Sequence, residues 1–423
     1  MIRARDIELA PAFQTDAPIQ KAFSEGTQRM ISTEETLRRV RPYFAEFGIT
    51  RIANLTGLDS LGIPVCAAFR PNSRSLSVSQ GKGMDVTAAM ASAVMESIEG
   101  FHAETILAPL LFGSAEELAR RVTLVDTAHL PRTDKTLHAQ SRIFWIEGQL
   151  LFGGIEPWVP LELVHLSFTV PALTGSGYFV ASSNGLASGN HVLEAVSHGL
   201  CEVIERDAVT MWAMFGEQHA QRSRLDLTTI DDPTVLALLE QFGRAGVSVA
   251  VWDITSDVGV AAFSCAIINS EPNPSYPWPH ARGMGCHPSR RIALLRALTE
   301  AAQSRLTVIA GSRDDLKQTR YRDLLSAEQQ ERTRKLIVER SGTRRYRDVA
   351  NFEADTFDAD VRHLAAQLAA AGLGVPIIVD LTRPQLPIAV VRVLVPGLEA
   401  MYDMPGYTPG QRAKARVLKQ AAS

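Results

Sequence analysis

Apolar and polar positions along the chain fall into runs of two periods, one suited to helices and one to strands. Ser32-Thr33-Glu34-Glu35 opens the first helix, a capping hydroxyl followed by acids that favour the positive end of the helix dipole, and Gly48 stops it. ITRIANLT (49–56) and IPVCAAFR (63–70) are short, β-branched and bounded by Gly and Pro, which predicts strands. From 84 to about 105 the chain is rich in Ala, Met and Glu with no Pro, and predicts a long helix. A second long helix is expected from 192 to about 214 and a third over 289–309. Before each stands a glycine-bearing stretch, 81–83, 183–190 and 283–288, that reads as a polar turn. VSVAVWDIT (247–255) and AAFSCAII (261–268) alternate like paired strands, and VPIIVDL (375–381) and IAVVRVLV (388–395) supply two more. The first twenty residues, with Pro11 and Pro18, read as an irregular arm, and 312–371 as exposed Arg- and Glu-rich helices. Strands alternating with helices place the chain in the α/β or α+β class, and no period of solenoid length is visible.

Composition narrows the function. A chain of 423 residues with 46% apolar and 21% charged residues is long enough to bury a sizeable core and too apolar for disorder. Lys and Arg number 43 against 46 Asp and Glu, a net charge of −3, so neither nucleic acid nor an anionic membrane is expected as partner. Cys66, Cys201, Cys265 and Cys286 are widely spaced, which suits a reducing cytoplasm better than a disulfide framework or a zinc finger. The first residues lack the apolar run of a signal peptide, and no stretch is long and apolar enough to span a bilayer.

The informative residues are acids inside helices. Glu96 and Glu99 share one face of the first long helix, with Ser92 a turn earlier. Glu202 and Glu205 do the same in the second, and Glu194, eleven residues before Glu205, returns to nearly the same azimuth. The apolar neighbours Ala195, Val196, Leu200, Val203 and Ile204 predict burial, where unpaired carboxylates are costly. Arg206 and Arg305 offer structural salt bridges as one solution. Mg²⁺ held by a few carboxylates and substrate phosphates is the other, with Gly81-Lys82-Gly83 as a phosphate cradle. There is no GxxxxGK[ST], so this is no P-loop protein. His198 with Cys201, and His287 with Cys286, read as core packing, and the run Arg332, Arg334, Lys335, Arg340, Arg344, Arg345, Arg347 as a solvated face.

Gly81-Lys82-Gly83, Ser92-x-x-x-Glu96-x-x-Glu99, Asn184-Gly-x-Ala-x-Gly-Asn190, Glu194, Glu202-x-x-Glu205-Arg206-Asp207, Gly285-Cys-His287-Pro288 and Ala297-Leu-Thr-Glu300-x-x-Gln303-x-Arg305 together resemble the YcaO family over about 30–405. The resemblance implies an α+β fold of mixed sheets flanked by helices. It also implies an ATP site in which glutamates of two helices hold Mg²⁺ against the phosphates. It makes Glu96, Glu99, Glu194, Glu202 and Glu205 metal ligands, and Glu202, Glu205 and Arg305 catalytic. Lys82, Ser92, Asn184, Asn190, Arg206 and Gln303 fall on the nucleotide motif, with Arg206 and Arg305 phosphate-facing, while Arg29 and Thr36 cap the nucleotide. Residues 1–75 become an arm, helix and strands over the nucleotide, and 76–423 the catalytic domain with a charged helical insertion at about 312–371. Where the family usually has Arg after the first acid pair, this chain has Gly100.

Family members act on peptide backbone amides: a nucleophile adds to the carbonyl, ATP phosphorylates the oxygen, and phosphate leaves. Azoline-forming members typically end in Pro-x-Pro-x-Pro, whereas this sequence ends in RAKARVLKQAAS. Residues 395–399 (VPGLE) and 49–59 (ITRIANLTGLD) are more similar to members that form thioamides with a TfuA partner. The resemblance thus implies a precursor peptide as substrate, a TfuA-like protein as partner and a homodimer. An azoline-forming cyclodehydratase is the alternative, and a non-catalytic peptide-binding accessory protein the alternative of another class.

Overall fold

The computed structural model describes residues 7–271, 278–313, 315 and 318–421. α1 (Thr33–Val40) and α2 (Phe44–Phe47) lead into β1 (Arg51–Asn54), β2 (Val65–Phe69), β3 (Val78–Lys82) and α3 (Val86–Glu104). β4 (Leu110–Gly113), α4 (Ala115–Leu118), β5 (Ile143–Glu147), β6 (Gln149–Leu150) and β7 (Trp158–Pro160) come next, then β8 (Leu186–Gly189) and α5 (Val192–Ala213). α6 (Gly216–Ser223), α7 (Pro233–Arg244), β9 (Val247–Asp253), β10 (Ala262–Asn269) and β11 (Ala281–Cys286) precede α8 (Arg290–Ala310). The chain closes with α9 (Gln318–Leu325), α10 (Ala327–Val338), α11 (Phe357–Ala370), β12 (Ile377–Asp380), β13 (Ala389–Leu394) and α12 (Gln411–Ala421).

The class is α+β. The strands pair antiparallel as β1-β2-β3, β4-β5-β7, β6-β12-β13-β8 and β11-β10-β9. β2 pairs with β3 from Val65–Lys82 to Phe69–Val78, so one sheet straddles the boundary expected near residue 75. The expected helix starts are capped: Ser32 Oγ accepts from Glu35 N at 3.2 Å and Asp85 Oδ1 from Ala88 N at 2.7 Å.

Three strand–helix units define the centre of the molecule: β3 with α3, β8 with α5 and β11 with α8. The glycine stretches before the helices, expected as turns, are largely strands. Their glycines are needed for contact. A Cβ on Gly81 would overlap the backbone of Ala89 and Ala93, and one on Gly189 would lie 2.7 Å from Ala195 N. Gly283 and Gly285 stand in the same relation to the α8 backbone at Ala297, Ala301 and Ala293. Small residues on both sides let each helix settle on its strand, and so fix which helical stripe faces away.

Two other expectations change. α9 and α10 are mostly exposed, but α11 is not an exposed charged helix: Phe357, Val361, Leu364, Ala365 and Leu368 are buried in the core that also holds Leu193, Leu200 and Ile204 of α5. The apolar stripe of α11, not its flanking charges, decides its place. The N-terminal arm is irregular yet packed, with Leu9 and Phe13 buried in the same core and Ala10 N donating to Leu151 O at 2.9 Å. Of the Arg-rich run, Arg334 donates to Asn269 O and Ser270 O, and Arg344 pairs with Asp253 at 3.0 Å, so this face partly tethers β9 and β10.

Candidate active site

A cavity of about 1230 Å³ opens between the three strand–helix units and α1. Glu96 and Glu99 reach it from α3, Glu194, Glu202 and Glu205 from α5, and Glu300 from α8. Lys82, at the end of β3, lines it beside them and pairs with Glu300 at 2.6 Å.

Most of these acids are satisfied only in part. Glu99 accepts from Ser188 Oγ at 2.6 Å and Ser188 N at 2.9 Å, and Glu194 accepts from Met30 N at 3.1 Å with Arg29 Nε 3.7 Å away. Glu205 has Arg206 at 3.4 Å. Burial pushes the Glu99 carboxyl up to about 8, with Glu96 and Glu202 adding to the rise and Ser188 opposing it. Burial likewise takes Glu96 up to about 7 against the pull of Arg313 and Lys82. Glu96 faces the open cavity, where water softens that effect; Glu194 and Glu205, only 2% and 3% exposed, carry the burial argument more firmly. Burial raises Glu194, Glu202 and Glu205 as well. For Glu300 burial acts in the same sense, but Lys82 and Arg206 outweigh it and hold the carboxyl below its ordinary value. The α3 and α5 acids thus favour protonation until a cation arrives, while Glu300 already has one.

The other expected residues divide. Arg29, Thr36, Ser92, Asn190, Arg206 and Gln303 all line the cavity. Asn190 Nδ2 donates to Thr36 Oγ1 at 3.0 Å, tying α1 to the start of α5, and leaves its Oδ1 buried without a partner. Gln303 Nε2 donates to Gln80 O at 2.8 Å. Arg206 resists burial because Glu205, Glu202 and Glu300 hold its charge, which raises its pKa.

Two placements differ from expectation. Arg305 does not face the cavity: it is fully buried, 3.0 Å from Asp59, with its guanidinium over the Trp278 ring. Arg305 is a structural salt-bridge residue, not the catalytic residue that the resemblance implies. The position five residues beyond Glu300 carries it round to the packed side of α8. Asn184 lies in a separate small cavity with Arg392 and Glu399, before the Gly185 bend at φ 80° that leads into β8.

Three cavity residues escaped the sequence reading. Arg296 lines the cavity from α8, pairs with no carboxylate within 4 Å among the described residues, and donates to His198 Nε2 at 3.2 Å. His198 also lines the cavity rather than the core, and burial with nearby Arg296 holds it well below its ordinary value, hence neutral. Glu300 sat in the quoted motif without a role. Four-residue spacing from Glu194 through His198 to Glu202, and from Arg296 to Glu300, was the available signal. Behind Glu202, the fully buried Arg392 of β13 partly offsets its charge. At Gly100, where an Arg was missing, a Cβ would stand 3.1 Å from Arg70 Nη1, so a guanidinium from beyond β2 occupies that neighbourhood, paired with Glu104 at 2.7 Å.

Residues 80–399, three-quarters of the chain, match the YcaO cyclodehydratase family, described as ATP- and Mg²⁺-binding. The chain belongs to the YcaO family. A relative from Rhizobium leguminosarum bv. trifolii, an uncharacterized protein in the tfuA 3′ region, is 39% identical over 381 residues, covering 89% of this chain and 90% of its own. YcaO from Methanopyrus kandleri, solved with AMPPCP and Mg²⁺, superposes with a TM-score of 0.73 at 24% identity over 93% of this chain and 99% of that one. A heterocyclase in complex with substrate and cofactor superposes at 0.72 and 21% identity over 95% of this chain, which spans 57% of the heterocyclase. These likenesses show that the fold is shared.

ATP and Mg²⁺ are accordingly the cofactors of this YcaO protein. Its donor set fits them. All the candidate ligands are carboxylates, which suits a hard cation, and the cavity offers unpaired polar groups beside them. Among the described residues no three His, Cys, Asp or Glu converge into one metal cage. A Mg²⁺ site that keeps one or two carboxylates and takes its remaining oxygens from phosphates and water needs no such cage. No helix among the described residues is long and apolar enough to cross a membrane, and all four cysteines are free and buried.

Proposed function

We propose that this protein phosphorylates the oxygen of a peptide backbone amide with ATP. Glu96, Glu99, Glu194, Glu202 and Glu205 would hold Mg²⁺ ions through one or two carboxylates at a time, and the bound metal would supply charge neutralisation at the nucleotide phosphates. Arg29, Thr36, Ser92 and Asn190 receive the nucleotide, and Arg206 and Arg296 face its phosphates. The observation that carries this reading is that five glutamates from α3 and α5 line one cavity, each pushed toward its protonated form by burial. Such acids gain most from a bound cation. An amide oxygen is a poor leaving group and its phosphate ester a good one, so phosphoryl transfer answers the chemical problem, and positioning with charge neutralisation is what the site supplies.

In the reading favoured here the nucleophile is an external sulfide and the product a thioamide, formed with a TfuA-like partner. The support is the 39% identical relative encoded in a tfuA region. Amide, hydrogen sulfide and ATP give thioamide, ADP and phosphate, so atoms balance without a redox step. The second reading, azoline formation from a Cys, Ser or Thr of a precursor peptide, is favoured by the likeness to a substrate-bound heterocyclase. Incubation with a candidate precursor peptide, ATP, Mg²⁺ and sulfide, with and without a TfuA-like protein, separates them by mass. Exchange of oxygen for sulfur supports the first, loss of one water the second, and an unchanged peptide with no ATP consumed contradicts both.

A further inference from the structure

The cavity continues along α5 past its acids. Val209, Trp212 and Ala213 line it beyond Glu205, and at about 100° per residue Val209 and Trp212 keep the azimuth of Glu205. Across from them lie Met401, Tyr402 and Asp403, in the segment between β13 and α12. One face of one helix therefore changes from carboxylates to apolar groups within about 10 Å.

The opposite rim is fixed to the same helix. Asp207, fully buried, accepts from Glu399 N at 3.1 Å and pairs with Arg412 at 3.0 Å, while Thr210 Oγ1 donates to Ala400 O at 2.7 Å. Glu399 in turn accepts from Tyr407 OH at 2.7 Å and from Gly410 N and Ala413 N, both at 2.9 Å. These bonds set the segment carrying Met401 and Tyr402 at a constant distance from Glu205 before any ligand enters, the condition for a preorganised subsite.

We infer that this apolar end receives an apolar side chain of the peptide substrate, next to the residue whose amide is phosphorylated; the inference rests on the function proposed above. Arg29 and Thr36 stand at the Glu194 end of α5, tied to it through Asn190. On the proposed function, a nucleotide capped there would have its phosphates on the Glu202 and Glu205 side. The acceptor then lies beyond them, where the wall is Val209, Trp212, Met401 and Tyr402. Beside the Asp403 carboxylate, which follows Tyr402 in the chain, these four side chains give phosphate no cationic partner and gain from excluding water around an apolar group.

The test uses the full-length protein loaded with Mg²⁺ and AMPPCP, with acetyl-Phe-Gly-Gly-amide and acetyl-Asp-Gly-Gly-amide as probes, followed by saturation-transfer NMR and calorimetry. The Phe peptide is expected to bind about ten-fold more tightly than the Asp peptide. Tyr402→Ala, at a half-exposed position that leaves the fold alone, removes most of that preference, and Tyr402→Phe restores it. Equal binding of both peptides, no binding of the Phe peptide, indifference to Tyr402→Ala, or displacement by adenosine each overturns the inference. Selective peptide binding with no ATP-dependent modification of any precursor keeps the subsite and sinks the proposed function. Modification of a precursor that Tyr402→Ala does not affect does the reverse.

Discussion

In the β8–α5 and β11–α8 units a glycine of the strand lies against the backbone of the following helix, yet the two helices put different balances of charge to the cavity. α5 offers Glu194, Glu202 and Glu205, all raised by burial. α8 offers Arg296, with no carboxylate partner among the described residues, and Glu300, already neutralised by Lys82. The packing is therefore a generic platform, and the function resides in which residues occupy the free stripe of each helix. On the proposed function, the α5 wall would take Mg²⁺ and Arg296 on the α8 wall would take phosphate, a division of labour between two similar units.

The comparison breaks most visibly at the acids. Glu205→Gln, and separately Glu202→Gln, should lower the rate of ATP turnover at least about a hundred-fold. Melting temperature of the metal-free protein should change little, because the acid that remains, with Glu300, still faces Arg206. Full turnover in either variant, measured by phosphate release, would remove α5 from the metal site. On the other wall, Arg296→Met should raise the KM for ATP about ten-fold or more with a smaller effect on folding. An unchanged KM would mean that α8 does not meet the phosphates. Arg305 on the same helix gives the contrast: Arg305→Met strands Asp59 in the core and should cost about 3 kcal/mol of stability, read from denaturant unfolding. The protein that remains folded should bind ATP normally.

The shared platform predicts that the units respond alike to a methyl group. Gly81→Ala and Gly283→Ala each force a Cβ into helix backbone and should cost about 1–3 kcal/mol. A harmless substitution at either would show that close packing is not what aims that helix. The smallest effect is a pH trend. Glu96 and Glu99, raised by burial from the ordinary glutamate value to about 7 and about 8, keep their protons in the folded state after the unfolded chain has lost them. Stability of the metal-free protein should therefore fall as pH rises between those limits, and Mg²⁺ with nucleotide should offset the fall. A melting temperature that rises over that window without metal would contradict the burial of Glu99.

Much of this was legible in the sequence because it depends on local pattern. Three long helices, the paired strands 247–253 and 262–269, and the inward acids all follow from periodicity and from carboxylates set among apolar neighbours. What was missed depends on tertiary contact. Gly81-Lys82-Gly83 looks like a turn until the helix that needs its missing side chains is seen against it. Arg305 and Arg296 are both arginines of one helix, and only the packing of α8 shows that the first meets Asp59 while the second meets the cavity. α11 was hidden by the charges around it, although its apolar stripe was present. His198 looked like core because its neighbours are core, but four-residue spacing places it between Glu194 and Glu202 on the open face.

The central claim is that the carboxylates of α3 and α5 bind Mg²⁺ with nucleotide phosphates. Its most direct test is calorimetric titration of Mg²⁺ with AMPPCP into the wild type and a Glu99→Gln/Glu205→Gln variant, in buffers of different ionisation enthalpy. The wild type should bind and release protons on binding at neutral pH, and the variant should stay folded but show no metal-dependent binding. Equal affinity in the two proteins, or binding by the wild type that does not need Mg²⁺, would contradict the account.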